Sequence, residues 1–267
     1  MIFSDYLKSK RSSGQYAFTA DQAIAELDIT RNALNCAIYK LKKKNEIISP
    51  LEHLYIMVPP EHSSLGSIPA EELVPILMKY LNVPYYVCGL SAAYYHGSSH
   101  QKPQIFQVMT NKRLKNIECG RVRINFSYKK NLILTQTISK VVKTGYLIIA
   151  SVELTAYDLL NYSSLSGGLN PAATVLSELI EQIDFERLKE IIESFKENAW
   201  WQRLGYIVEY LQSLDTEVSY SILPLLKEFS KRKVLHWVPL VSGLPKKGYP
   251  HNNVWKIIEN TNIEIDE

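Results

Sequence analysis

Apolar residues first recur at helical spacing in the N-terminal sixty residues. Tyr6 and Leu7 fall in a short first helix that stops at the turn signal Ser12-Ser13-Gly14. Thr19 is placed to cap a second helix, with Asp21 and Gln22 in its first turn, where an acid suits the helix dipole. Ala23, Ile24 and Leu27 form its apolar face. After a turn at Asp28-Ile29, Thr30 caps a third helix. At about 100° per residue, Leu34, Ile38 and Leu41 fall within about 60° of one another, with Ala37 beside them, and this stripe faces the core. Ile47-Ile48 and Leu54 to Val58 read as two strands around a turn at Ser49-Pro50. Three helices, a tight turn between the second and third, and a hairpin predict a winged helix-turn-helix over residues 1–60.

The pattern then changes. Pro, Ser and Gly crowd PPEHSSLGSIP, which predicts a linker over 61–69 before a second domain at 70–267. That domain opens with a helix from Ala70 to Leu81. Tyr85 to Cys88 reads as a buried strand, Gly89 as a turn, and Ser91 as the cap of a short helix through His96. Ile105 to Met109 is a strand. In RVRINFSYK, Val122, Ile124, Phe126 and Tyr128 point one way, while Arg121, Arg123, Asn125, Ser127 and Lys129 point the other. Tyr146 to Ala150 is a further buried strand, and Glu153 to Leu160 a helix with its acid at the positive end. Beyond Gly167-Gly168 the periodicity is helical: Ala172 to Gln182, Phe185 to Phe195, Ala199 to Leu211 and Ser221 to Lys231. Trp200-Trp201 reads as packing between helices. Val234 to Leu240 and Trp255 to Ile258 are expected as late strands. The fold class is α+β: an N-terminal winged helix-turn-helix, then a mixed α/β domain with a helical second half.

Composition adds limits. A chain of 267 residues has room for two domains, and 46% hydrophobic with 21% charged residues is ordinary for a globular protein. LIIA at 147–150 is the longest aliphatic run, so no transmembrane helix is expected. MIFSDYLKSK lacks the apolar stretch of a signal peptide. Cys36, Cys88 and Cys119 lie far apart without zinc spacing, which suits free thiols in a reducing, cytoplasmic setting with no membrane partner.

The net charge of +3 says little, but its distribution says more. TRNALNCAIYKLKKK, residues 30–44, holds five basic residues and no acid. The side of this third helix away from the core carries Asn32, Asn35, Cys36, Tyr39 and Lys43, flanked by Arg31 and Lys42. Asparagine pairs with adenine edges, arginine with guanine or phosphate, and lysine with phosphate. Lysines 42–44 also suit the helix C-terminus whether or not DNA is present. At the wing, Glu52 would repel phosphate, which leaves His53 as the plausible contact. From Gln101 to Asn131 there are eight Lys or Arg residues against one acid, Glu118. The polar face of that strand region is a solvated surface, or a docking surface for nucleic acid or an acidic partner.

Signs of catalysis are weak. Gly89-Leu90-Ser91-Ala92-Ala93 lacks the second glycine of a nucleophile elbow. His96 and His100 are separated by Gly-Ser-Ser, which breaks the helix that would pair them on a metal. Gly97-Ser98 is the start of a nucleotidyltransferase-like motif, but that chemistry needs carboxylates for magnesium. No aspartate occurs between Asp28 and Asp158, so only Glu118, Glu153 and Asp158 could serve. No enzyme activity, metal or cofactor is expected.

The chain resembles the antitoxins of the AbiE abortive-infection systems, the type IV toxin–antitoxin class. The resemblance rests on the winged helix ending in LYIMVPPE, on YYVCGLSAAYYHG followed by QIFQVMTNK, on RVRINFSY, on ASVELTAYDLL, and on VPLVSGLPKKGYPHNNVWKIIEN. It implies a bifunctional antitoxin. Such a protein represses its own operon by binding inverted repeats in promoter DNA, and it neutralises a cognate nucleotidyltransferase toxin without a stable complex. It is expected to be a monomer in solution with two copies on the DNA. The matching DNA-reading positions are Arg31, Asn32, Asn35, Tyr39, Lys42 and Lys43. A glycine is common before the Leu-Tyr of the wing, where this chain has His53. The matching antitoxin surface is Lys112, Arg113, Arg121, Arg123 and Lys129. Two other readings stand beside it: a winged-helix regulator with a ligand-sensing C-terminal domain, and an enzyme acting on nucleic acid.

Overall fold

Tyr6 and Phe18 pack edge to face at a centroid separation of 5.5 Å in a computed structural model of the protein, and Tyr55 lies 5.5 Å beyond Phe18. The structure describes residues 2–98, 101–195, 197–215, 220–233 and 235–265. These rings centre a small core that also holds Leu7, Ala23, Leu27, Leu34 and Ile38. The elements around it are α1 (Phe3–Ser12), β1 (Ala17–Thr19), α2 (Ala20–Leu27), α3 (Arg31–Lys43), β2 (Ile47–Leu51) and β3 (Leu54–Met57). The strands form one antiparallel sheet in the order β1-β3-β2.

Local chemistry explains the helix boundaries. Thr19 Oγ1 accepts from Gln22 N, and Gln22 Oε1 accepts from Thr19 N, a reciprocal capping box for α2. Asp28 closes α2 in the left-handed region. Thr30 Oγ1 accepts from Ala33 N at the start of α3. The hairpin differs from its expectation. Its turn is Glu52-His53, not Ser49-Pro50. Pro50, which has no N–H to give, sits where the register shifts between Ile48 and Leu51, and the strand runs on through that bulge. Strand β1 has no alternating pattern to announce it.

The next elements are α4 (Ala70–Leu81), β4 (Tyr85–Val87), α5 (Gly89–Tyr95), β5 (Ile105–Thr110), β6 (Ile117–Cys119), β7 (Val122–Tyr128), β8 (Thr137–Val142) and β9 (Gly145–Ala150). Their strands make a mixed sheet in the order β6-β7-β5-β4-β9-β8. β5 runs parallel to β7, from Ile105↔Arg123 to Thr110↔Tyr128, and antiparallel to β4. Helix α5 starts at Gly89 with Cys88 as its N-cap residue, so Ser91 is a buried residue of the first turn, not the cap expected for it.

The remainder is helical: α6 (Val152–Asn161), α7 (Ser163–Ser166), α8 (Leu169–Leu179), α9 (Phe185–Ser194), α10 (Ala199–Leu214) and α11 (Ile222–Lys231). Residues 153–160 of α6 are all buried. Tyr157 stacks on Phe195 at 4.3 Å and meets the edge of Trp200 at 5.1 Å. Trp200 and Trp201 are fully buried, as packing residues should be. The late strands are shorter than expected: β10 (Val238–Pro239), β11 (His251–Asn252) and β12 (Ile257–Ile258), in the order β10-β12-β11. Val234, the expected start of the first, lies outside the described residues. No helix among the described residues is long and apolar enough to cross a membrane.

The chain forms two compact units. One comprises Met1–Val87, Gln104–Leu134 and Ser139–Ile149; the other comprises Cys88–Pro103, Thr135–Ile138 and Ala150–Glu267. This grouping cuts across a division at 61–69. Within that segment Pro60–His62 is a 3₁₀ turn, and Ser67 and Ile68 are fully buried. Arg121 N donates to Leu65 O at 2.8 Å. A Cβ added to Gly120, whose φ is +58°, would lie 2.2 Å from Leu65 O. The fold is α+β, with several sheets and a helical second half.

Candidate nucleic-acid interface

Helix α3 turns Leu34 and Ile38 into the core and leaves Arg31, Asn32, Asn35, Cys36, Tyr39, Lys40, Lys42 and Lys43 exposed. This is the division its spacing predicts. The exposed face carries no acid of its own. Asn32 and Asn35 form no side-chain bond among the described residues, so both amides are available to a partner. Tyr39 is 60% exposed, with Lys43 Nζ 4.8 Å from its ring centroid. Lys42 Nζ lies 5.8 Å from the ring of Tyr55 on β3.

The hairpin turn meets the start of this helix. Arg31 Nη1 is 3.5 Å from His53 Nδ1, and Arg31 Nη2 donates to Asp21 Oδ1 at 2.9 Å. His53 Nε2 lies 3.3 Å from Glu52 Oε1. The turn is fixed from two sides: Ala20 N donates to His53 O at 2.9 Å, and Tyr80 Oη of α4 donates to Glu52 O at 2.9 Å. His53 has φ +61°, a region where glycine carries no Cβ penalty. Two expected contacts from distant sequence positions, Arg31 and His53, are therefore neighbours.

The second basic set is split. Lys112, Arg113, Arg121 and Arg123 are exposed, but Lys129 is 7% exposed and is not on that face. The strand ends at Tyr128, so the alternation that aimed Lys129 outward stops one residue short; Lys129 N instead donates to Thr110 O. Arg113 lies over the ring of exposed Tyr128 at 4.9 Å, and Arg123 Nε is 3.7 Å from Glu118. At the end of β6, burial pushes the Cys119 thiol up, partly offset by the charge of Lys42. Edge strand β6 also packs against β2. The basic strand region thus adjoins α3 within one compact unit.

The histidine of YYVCGLSAAYYHG has a structural place. His96 Nε2 is 2.8 Å from Ala150 O, and its own carbonyl accepts from Gln182 Nε2. His100 lies outside the described residues. Glu153, near the start of α6, accepts from Asp184 N at 2.9 Å. Asp158 is fully buried on the same helix. Among the described residues no three His, Cys, Asp or Glu side chains gather to hold a metal ion.

One basic feature was not singled out from the sequence. From Phe229 to Ile258 there is no acid, while Lys231, Arg232, Lys233, Lys246, Lys247 and Lys256 are basic. Lys231, Lys233 and Lys256 line an open cleft of about 420 Å³, and Lys256 caps the half-exposed ring of Trp237 at 4.8 Å. A count of acids along the chain would have found it.

Residues 85–210 match the family model of the AbiEi antitoxin C-terminal domain. No curated protein matches the chain. Among solved structures, the chain is similar to the Rv2827c protein from Mycobacterium tuberculosis. The TM-score is 0.68 over 96% of this chain and 90% of that one, at 14% identity, a likeness of fold.

Proposed function

We propose, from the match of residues 85–210 to the AbiEi antitoxin C-terminal domain, that this chain is a bifunctional type IV antitoxin of the AbiE family. In this reading residues 1–60 are a winged helix-turn-helix. The chain acts in the cytoplasm, binds inverted repeats in the promoter of its own operon, and represses it. It also neutralises a cognate nucleotidyltransferase toxin, without catalysis of its own. The observation that carries the DNA part is the exposed, acid-free face of α3 with the hairpin turn beside it.

The roles follow from side-chain chemistry. Asn35 and Asn32 present unengaged amides for bidentate pairing with adenine in a major groove. Arg31 is held at the helix start by Asp21 and sits beside His53, so helix and wing approach the duplex together. Lys42 and Lys43 are placed for phosphates and supply the salt-dependent part of affinity. Glu52 at the turn disfavours deep entry of the wing. Lys112, Arg113, Arg121 and Arg123 make the surface assigned to antitoxicity; Lys129, being buried, takes no part.

The test uses full-length variants in cells. A promoter reporter reads repression, and growth during co-expression of a nucleotidyltransferase toxin of this class reads neutralisation. Asn35→Ala should relieve repression and leave rescue intact. Arg121→Glu with Arg123→Glu should abolish rescue. Unchanged repression by the first variant refutes the α3 assignment, and full rescue by the second refutes the antitoxin surface.

A further inference from the structure

Arg203 on α10 is a buried cation that pairs with no acid among the described residues. It is 9% exposed. Nε and Nη2 each donate to Pro239 O at 3.1 Å, and Nη2 donates to Ser242 Oγ at 2.9 Å. Nη1 makes no bond among the described residues, and no carboxylate lies within ion-pair distance. Burial alone pushes the Arg203 pKa down, with no neighbouring acid to oppose it. A guanidinium nevertheless stays charged, and a buried charge is costly unless something negative faces it.

The space beside it is suited to an anion. Arg203 lines a cavity of about 140 Å³ with Asn161, Ser163, Ser166, Gly168 and Ser242, and no acid is among its lining residues. The cavity also meets the amino end of α8, a helix of 11 residues. Gly168 is the N-cap residue of that helix and provides no side-chain cap. Gly167 and Gly168 have φ of +78° and +119°, which lets the backbone turn without side chains in the way. The N–H groups of Leu169 and Asn170 are therefore orphans of the first turn, at the positive end of the helix dipole. Ser163 and Ser242 are exposed and leave a way in. The volume is below the roughly 300–1,000 Å³ of a pocket for a whole ligand, and fits a head group.

We infer that this cavity, lined by Arg203, Ser163, Ser242 and the amino end of α8, binds a phosphoryl oxyanion; the Ser166 hydroxyl, which donates to Ser163 O and Gly168 O, shapes its wall. The guanidinium supplies charge and donors on one side, the helix end and hydroxyls on the other. Two sources share this chemistry: inorganic phosphate and the phosphate of a nucleoside monophosphate.

Calorimetry and thermal melts on the full chain, at constant ionic strength, would test this. Inorganic phosphate should bind saturably at one site per chain and raise Tm, while chloride does not. Arg203→Lys keeps the charge but loses the fork, and should weaken binding at least tenfold. Should that variant fold poorly, Ser242→Asp gives a separate test. It places a carboxylate at the atom that already accepts from Nη2, so it should raise Tm without phosphate and abolish the phosphate response. Tighter binding of AMP than of phosphate would identify a phosphomonoester ligand, and the reverse order the free ion; both support the site. A wild-type phosphate response no larger than that of chloride would overturn the inference. So would a Ser242→Asp variant that responds like wild type, because binding would then lie elsewhere.

Discussion

Asn35→Ala separates reading from folding with opposite signs in two assays. Asn35 is exposed in the middle of α3 and makes no intramolecular side-chain bond among the described residues. Alanine is the better helix former by roughly 0.5 kcal/mol, so the variant should melt at the wild-type temperature or slightly above it. If the amide pairs with an adenine, its loss should cost about 1–3 kcal/mol of operator binding. That is a roughly 5- to 150-fold rise in Kd. Fluorescence anisotropy with a labelled promoter duplex would measure it, alongside duplexes changed at one base pair. Wild type should discriminate at the position Asn35 reads, and the variant should not. Lys43→Ala is the control with a different signature. It should weaken all sequences alike and lower the slope of log K against log salt by about 0.9. If Asn35→Ala binds the operator like wild type at several salt concentrations, helix α3 does not read this DNA.

Other outcomes follow from individual contacts. Thr19→Ala removes the capping box of α2 and should cost about 1 kcal/mol, read by urea unfolding. Gly120→Ala puts a Cβ 2.2 Å from Leu65 O at φ +58°, and should cost at least about 2 kcal/mol; a melt unchanged from wild type would refute the close approach. Gly205→Ala should be comparably damaging, since its Cβ would fall 2.2 Å from the ring of Trp255. Burial raises the Tyr85 phenol to about 12. A raised pKa means that the folded state holds its proton longer, so this contribution is complete below the unfolded value of about 10 and is lost as pH climbs toward 12. Tyr85→Phe should therefore flatten the fall in Tm across that window.

Where local pattern controlled structure, it was legible in the sequence. Thr19, Thr30 and the Leu34–Ile38 stripe determine α2 and α3 through caps and periodicity alone. The hairpin turn falls at Glu52-His53 and not at Ser49-Pro50 because a bulge holds Pro50, which lacks an N–H, inside the strand. Lys129 is buried because strand alternation holds only as far as the last paired residue, Tyr128. The stretch 61–69 shows that Gly, Ser and Pro serve slack chain and tight backbone crossings equally well, and composition does not tell the two apart. Strand β8 has mostly exposed residues and gave no alternation to follow. The exposed face of α3 was visible residue by residue, but the meeting of Arg31 with His53 depends on where the turn falls. Arg203 had no local signal, since its isolation from acids exists only after residues 239–242 fold back onto it.

The contact between Gly66 and Gly120 bears on how this protein comes apart. The main chain of 65–66 lies against the loop that joins β6 to β7, with no side chain between to loosen. A protease nick near Lys115, in the exposed segment between the two glycines, would therefore leave two fragments held together at this crossing. Residues 65–66 are thus expected to become fixed only once a strand turn that leaves the ribosome more than fifty residues later has formed against them.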